Sequence, residues 1–357
     1  MRFPKYLEQG GTIGFMAPSF GCATEPYLSG FRNARKKFEG MGYKTVAGPN
    51  CYESAGMGIS NTPEKCGAEV MEMFGREDVD CLISCGGGEL MCEILPYVDF
   101  GKLAEAEPKW FMGYSDNTNL TYLLATLADT ASVYGPCAGA FGMEPWHEAL
   151  EDAFGILTGK RQSVHGYELW EKESMKDEEH PLAPYNVTEP VRLRSFVGKQ
   201  EISFPEAYCF AEADEQRPLR FSGRLLGGCL DCLVNLSGTR FDKTVEFVEK
   251  YHEDGIIWFL EACDLNVFSI RRAMWQLEET GWFRHVKGFL IGRPLNGGEM
   301  MGLNAYDAVL EVAGRKGVPV IMDVDLGHLP PMMPLIVGSL ADVAVFGNSI
   351  KVEMKQA

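Results

Sequence analysis

The sequence predicts an α/β protein in two domains, the first built on a parallel sheet. Three observations lead there. Short apolar runs alternate with stretches of helical spacing through both halves of the chain. The 357 residues are more than a single hydrophobic core ordinarily serves. A polar, proline-broken stretch from 159 to 218, with an acidic run at Lys176 to Glu179, interrupts the alternation midway.

Taken in order, Thr12 to Pro18 is an apolar strand. Tyr27 to Met41 has helical spacing and Gly42 stops it. Tyr43 to Ala47 is a second strand, Pro63 to Phe74 a helix, and Val79 to Ser84 a third strand that runs into Cys85-Gly86-Gly87-Gly88. Helical spacing resumes from Glu89 to Leu95. Lys109 to Tyr114 is a fourth strand, Asn117 to Leu127 a helix, and Ala131 to Tyr134 a short fifth strand. Beyond the polar stretch, Gly223 to Gly228 reads as a glycine-rich turn ahead of a helix containing Cys229. Then come a strand at Gly255 to Leu260, a helix at Ile270 to Thr280, a strand at Val286 to Ile291, a helix at Asn304 to Arg315 and a strand at Val318 to Met322. Val343 to Phe346 and Ile350 to Met354 form a closing hairpin around Gly347-Asn348. The expected division is an N-terminal domain over 1–160, a linker or specificity loop over 161–185, and a C-terminal domain over 186–357.

Composition narrows the function classes. Hydrophobic residues at 46% and charged residues at 23% suit a folded globular protein rather than a disordered one. A formal net charge of −17 repels phosphate backbones and anionic membranes, so neither nucleic acid nor membrane is expected as a partner. No run of 18 apolar residues occurs, and no apolar signal segment follows Arg2 and Lys5. The 11 cysteines are odd in number and scattered, which suits a reducing cytoplasm. Cys229 and Cys232 have CxxC spacing, but the second pair or His pair that zinc needs does not follow, so they read as packed thiols. No metal site is expected at these cysteines.

Four places can carry chemistry. In FMGYSDNTNL an apolar strand enters Gly113-Tyr114-Ser115-Asp116 and a helix begins at once. Such a turn presents a serine hydroxyl at the carboxyl end of a sheet, beside the free N–H groups of the new helix. Ser115 is thus either a nucleophile on an elbow or a helix N-cap; Asn117 stands where the usual elbow has its last glycine. The Gly86 to Gly88 run can turn the chain, donate N–H groups to an oxyanion, or cradle a phosphate, although no GK[ST] follows. Glu261 ends the strand GIIWFLE, where open parallel sheets bind ligands, or else it caps the following loop. His328, in DVDLGHLPPMMPL, sits on a proline-fixed loop as a general base held in one orientation or as a structural histidine. His147, His165, His180, His252 and His285 read as solvated.

Ser115, Glu261 and His328 each follow an apolar strand, in one of the chain orders known for catalytic triads. Ser115 would attack, His328 would take its proton, and Glu261 would orient the imidazole, in a cleft between the domains. A binding protein with a ligand in that cleft and no chemistry fits the same pattern.

GTIGFMAPS, SCGGGELMCEILPYVDF, GYSDNTNL, GRLLGGCLDCLVNLSGT and GHLPPMMPLIVG together resemble the LD-carboxypeptidase family of serine peptidases, along nearly the whole chain. The family holds muropeptide LD-carboxypeptidases and microcin C7 self-immunity proteins. The resemblance implies a flavodoxin-like N-terminal α/β domain, a β-rich C-terminal domain and a Ser115, Glu261, His328 triad. It implies oxyanion donors in the N–H groups of Asp116 and of Gly86 or Gly87, no cofactor, and a homodimer. The glycine turn and the segment around Trp170 look more like the immunity branch, which cleaves an amide joining an amino acid to a sulfamoyl or phosphoramide adenylate. There Trp170, with Tyr114 beside the serine, would bind substrate; Trp170 as a surface tryptophan is the alternative. The muropeptide branch would instead release a D-amino acid.

Overall fold

The computed structural model describes residues 1–204 and 218–357. The end of the polar middle stretch, 205–217, lies outside them. The chain forms two compact units. The first comprises Met1–Arg161, Glu173–Asn186 and Pro334–Val337; the second comprises Gln162–Lys172, Val187–Met333 and Gly338–Ala357. The stretch 161–185 is therefore shared between them.

The first unit is a parallel sheet with helices. Strands β1 (Thr12–Met16), β2 (Lys44–Ala47), β3 (Cys81–Ser84), β4 (Trp110–Gly113) and β5 (Ser132–Tyr134) run parallel in the spatial order β2-β1-β3-β4-β5. All but β2 are buried throughout, which is why they read as continuous apolar runs rather than alternating ones. Helix α1 (Tyr27–Gly40) turns Phe31, Ala34 and Phe38 inward at helical spacing. Helix α2 (Pro63–Gly75) starts with proline in its first turn, where the missing N–H costs nothing. The helix expected at Glu89 to Leu95 is a 3-10 segment, Met91–Tyr97, with Pro96 inside it removing a donor. Helices α3 (Phe100–Glu105), α4 (Thr118–Ala128) and α5 (Glu148–Leu157) complete the unit's regular helices.

In the second unit, β6 (Ser163–His165), β7 (Leu169–Glu171), β8 (Val187–Pro190), β9 (Arg194–Val197) and β10 (Gln200–Ile202) are short. The long β11 (Leu219–Cys229) leads to α6 (Leu230–Leu236), α7 (Thr244–Lys250), β12 (Ile256–Glu261), α8 (Val267–Glu279), β13 (Val286–Gly292), α9 (Ala305–Ala313) and β14 (Pro319–Val324). Strand β15 (Leu335–Val337) adds an antiparallel edge beside β5 in the first unit's sheet. Then β16 (Leu340–Phe346) and β17 (Ser349–Lys355) close a mixed sheet that, among the described residues, has nine strands ordered β10-β9-β14-β13-β12-β11-β16-β17-β6. Its middle, β11 to β14, is parallel; its flanks are antiparallel. The fold is thus α/β with a parallel-sheet N-terminal domain and a β-rich C-terminal one.

Gly223 to Gly228 is not a turn but part of β11, paired with β12 on one side and β16 on the other. The glycines serve close strand approach: a Cβ on Gly227 would overlap the Phe259 carbonyl, and one on Gly223 would lie 3.1 Å from the Gly255 carbonyl oxygen. Among the described residues, no helix is long and apolar enough to cross a membrane.

Candidate active site

Strand β4 ends at Gly113, and the chain makes a 3-10 turn over Ser115–Asn117 before entering α4. Ser115 adopts φ +62°, a left-handed conformation that a non-glycine residue occupies only under constraint. The residues at the cap positions of the 3-10 turn and of α4 are Tyr114 and Asn117, so Ser115 is not a helix N-cap. Asn117 has φ −63° and needs no glycine. What a glycine would supply by being small, this chain supplies at Gly113, where a Cβ would lie 2.9 Å from that of Asn117.

Buried side chains tie the turn down. The Ser115 N–H donates to the Tyr134 hydroxyl at 3.2 Å. The Asp116 carboxylate accepts the Ser19 hydroxyl, the Met91 N–H at 2.8 Å and the Asn119 amide at 3.0 Å. The Asn117 amide donates to the Gly86 carbonyl at 2.8 Å and to that of Tyr114 at 3.1 Å. The elbow and the glycine turn are therefore one hydrogen-bonded body. Gly87 lies against the serine: a Cβ there would sit 3.2 Å from the Ser115 hydroxyl oxygen. Among the described residues, the Gly86 and Gly87 N–H groups have no acceptor. Tyr114 packs edge-on against Tyr134, with ring centroids 6.4 Å apart.

Glu261 and His328 come together in the second unit. Glu261 is the last residue of β12 and is buried; the His328 Nδ1 lies 2.8 Å from its Oε2. That contact makes Nδ1 the donor when the imidazole is neutral and leaves Nε2 as the acceptor. Two glycines make room for it. A Cβ on Gly327 (φ +93°) would overlap the Glu261 carboxylate, and one on Gly292 would lie 3.0 Å from the Glu261 Cβ. Burial alone weakens the hold of His328 on a proton, but the Glu261 charge and the Cys263 thiol outweigh it and push the pKa well above the usual histidine value. Apolar side chains of Leu230, Ile270, Met274 and Pro294 line a small cavity beside Glu261. Asp231 holds the loop after Glu261 by accepting the N–H groups of Cys263, Asp264 and Leu265 at 2.9–3.1 Å.

Trp170 lies on β7 in the second unit, half-buried, with the Arg293 guanidinium 5.2 Å from its ring centroid. Ser115, Gly86, Gly87, Asp116 and Tyr114 thus belong to the first unit, and Glu261, His328 and Trp170 to the second. Asp116 was expected only through its N–H group, and its carboxylate, the Asn117 amide, Asp231, Arg293 and Asp325 were not expected as contributors; an acid in DVDLGH and polar residues flanking the serine were the only signals in the sequence. His147 departs from its expected solvation: it is half-buried, and its Nδ1 accepts the Ala149 N–H at 3.1 Å, capping α5. Burial lowers its pKa. Cys229 is buried and Cys232 half-buried; among the described residues no cluster of three or more His, Cys, Asp or Glu side chains is arranged to hold a metal.

Two family descriptions match the chain: the LD-carboxypeptidase N-terminal domain over residues 13–135 and the LD-carboxypeptidase C-terminal domain over residues 222–343. The Microcin C7 self-immunity protein MccF of Escherichia coli is 26% identical over 343 residues, 93% of this chain and 90% of that protein. The probable murein peptide carboxypeptidase of Bacillus subtilis is 25% identical over 344 residues, 95% of this chain and 90% of that protein. A solved structure, of Microcin C7 self immunity protein MccF in complex with aspartyl sulfamoyl adenosine, has a TM-score of 0.79 at 23% identity and covers 100% of this chain and 99% of its own. The fold is shared.

Proposed function

The chain belongs to the LD-carboxypeptidase family and is a serine hydrolase of that kind, and from this we propose that it cleaves the amide of a microcin C7-type aminoacyl-nucleotide with Ser115, His328 and Glu261 as a triad. The observation that carries the catalytic part is Ser115, held at φ +62° against Gly87 by buried hydrogen bonds. That is the costly posture of a nucleophile rather than of a cap.

In this reading the Ser115 hydroxyl oxygen bonds to the carbonyl carbon while its proton passes to Nε2 of His328. Glu261, fixed on Nδ1, stabilises the imidazolium. The N–H groups of Asp116 and of Gly86 or Gly87 receive the oxyanion. The carbon–nitrogen bond breaks, and the departing nitrogen takes the proton from His328. Water, deprotonated by the same imidazole, then hydrolyses the acyl ester and restores the serine. Tyr114 and Trp170 border the substrate, the indole offering a face on which a base stacks. The substrate class rests on the Escherichia coli immunity protein and its structure with aspartyl sulfamoyl adenosine. We also propose a cytoplasmic homodimer; the free thiols of the described cysteines support the compartment.

A second reading, release of a terminal D-amino acid from a muropeptide, is favoured by the match to the Bacillus subtilis protein. A side-by-side turnover assay separates the two. Aspartyl sulfamoyl adenosine is expected to be hydrolysed with the higher kcat/KM. Faster release of D-alanine from an L,D-tetrapeptide would transfer the chain to the second reading, and turnover of neither would favour a binding protein.

A further inference from the structure

Arg293 follows the last residue of β13 and is only 6% exposed; Asp325, beyond the end of β14, is 0% exposed. Their side chains meet at 2.5 Å. A buried ion pair that is neither on the surface nor an evident reactant costs desolvation and requires good geometry to persist. Here the geometry binds three pieces of chain. Arg293 also donates to the Asp323 carbonyl at 2.7 Å, so it grips the run that leads to His328 at two points. Asp325 accepts the Tyr167 N–H at 2.8 Å through its other oxygen. Past His328, the Pro330 carbonyl accepts the Glu171 N–H at 2.7 Å. The segment from Tyr167 to Glu171 is therefore fastened on both sides of the histidine, and its Trp170 ring covers the guanidinium at the middle of the fastening.

We propose that Arg293 and Asp325 are positioning residues for His328, and that the Trp170 indole is part of the same support rather than a substrate contact alone. The inference rests on Ser115 and His328 working together as proposed above. It assigns Trp170 two duties, one toward a stacked base and one toward the imidazole. A positioning error of about 1 Å at a general base slows chemistry by roughly a hundredfold, so the effect falls on the reaction of Ser115 even with a reagent too small to be stacked.

Diisopropyl fluorophosphate is such a reagent. The Ser115 oxygen bonds to phosphorus, the phosphorus–fluorine bond breaks, fluoride leaves, and the serine proton passes to His328. Labelling rates are measured on the full chain for the parent, Arg293→Met, Arg293→Lys, Asp325→Asn, Trp170→Phe and Trp170→Ala. Arg224→Met is the control, because it breaks another ion pair of a buried arginine, with the half-exposed Asp254, from the middle of β11 beside the start of β12, at the far end of β12 from Glu261. The expected result is a loss of roughly ten- to a hundredfold in Arg293→Met and Trp170→Ala, a smaller loss in Arg293→Lys, Asp325→Asn and Trp170→Phe, and parental labelling in Arg224→Met despite a lower melting temperature. Trp170→Ala changes a half-buried position and keeps the test alive if Arg293→Met does not fold. Parental labelling rates in Trp170→Ala and Arg293→Lys, with only KM for aspartyl sulfamoyl adenosine raised, would overturn the proposal. A parent protein that does not label at all would instead remove the serine-hydrolase reading beneath it.

Discussion

At Ser115 the backbone is held at a dihedral that costs a non-glycine residue about 1–3 kcal/mol. The hydrogen bond that the Asp116 carboxylate accepts from the Met91 N–H and the one that the Asn117 amide donates to the Gly86 carbonyl are what offset it. His328 poses the complementary question, because a general base must be able to lose its proton. Its pKa is raised, with Glu261 the main cause opposing burial. The imidazolium is then the resting form at neutral pH, and the ascending limb of kcat/KM belongs above the ordinary histidine value of about 6.5. The sign for stability follows from the same shift. The pair's contribution is fully present below about pH 6.5 and is lost as pH rises through the raised folded value. Glu261→Gln removes the charge while keeping a hydrogen-bonding side chain. It is expected to move the ascending limb to lower pH and to reduce the maximum by roughly two to four orders of magnitude. An unmoved limb in the pH–rate profile would detach Glu261 from the histidine's chemistry.

At the scale of elements, the elbow, the 3-10 segment that follows the glycine turn and the loop after β1 meet on one carboxylate, that of Asp116. Asp116→Ala leaves buried donors at Ser19, Met91 and Asn119 without that acceptor, each a cost of about 1–3 kcal/mol. Because Met91 follows the glycine turn and the loop of Ser19 bonds to it through the Phe20 N–H and the Gly87 carbonyl, the loss is expected mainly in kcat, by roughly a hundredfold, with KM little changed. Steady-state kinetics on folded Asp116→Ala check this; a pure KM effect would count against it. The strands of the first unit were legible because buried parallel strands are written as continuous apolar runs, as in Cys81–Ser84 and Trp110–Gly113. Strands β7, β8 and β10 were not, because three or four residues that are mostly exposed or half-exposed leave no apolar run to detect. Gly223 to Gly228 misled for a specific reason: glycine signals both a turn and a close backbone approach, and only the pairing of β11 with β12 and β16 distinguishes them. Within the site, Ser115, Glu261 and His328 stood out as polar residues ending apolar strands. The Arg293–Asp325 pair did not, since an ion pair formed across 32 residues leaves no periodicity.

For the whole molecule, the net charge of −17 is the dominant long-range feature. Self-repulsion opposes compactness and is screened as the Debye length falls from about 30 Å at 0.01 M salt to about 8 Å at 0.15 M. Thermal unfolding followed across that range is expected to show a rising midpoint; a falling midpoint would mean that favourable ion pairs outweigh the excess charge. Family membership extends over both units, and the proposed substrate class rests on relatives near 25% identity. The claim on which the rest depends is that Ser115 is the nucleophile. Intact-mass and peptide mapping after treatment with a fluorophosphonate test it most directly. A single adduct is expected, on Ser115 and absent from Ser115→Ala; an adduct of equal yield in Ser115→Ala would show that another residue is the nucleophile.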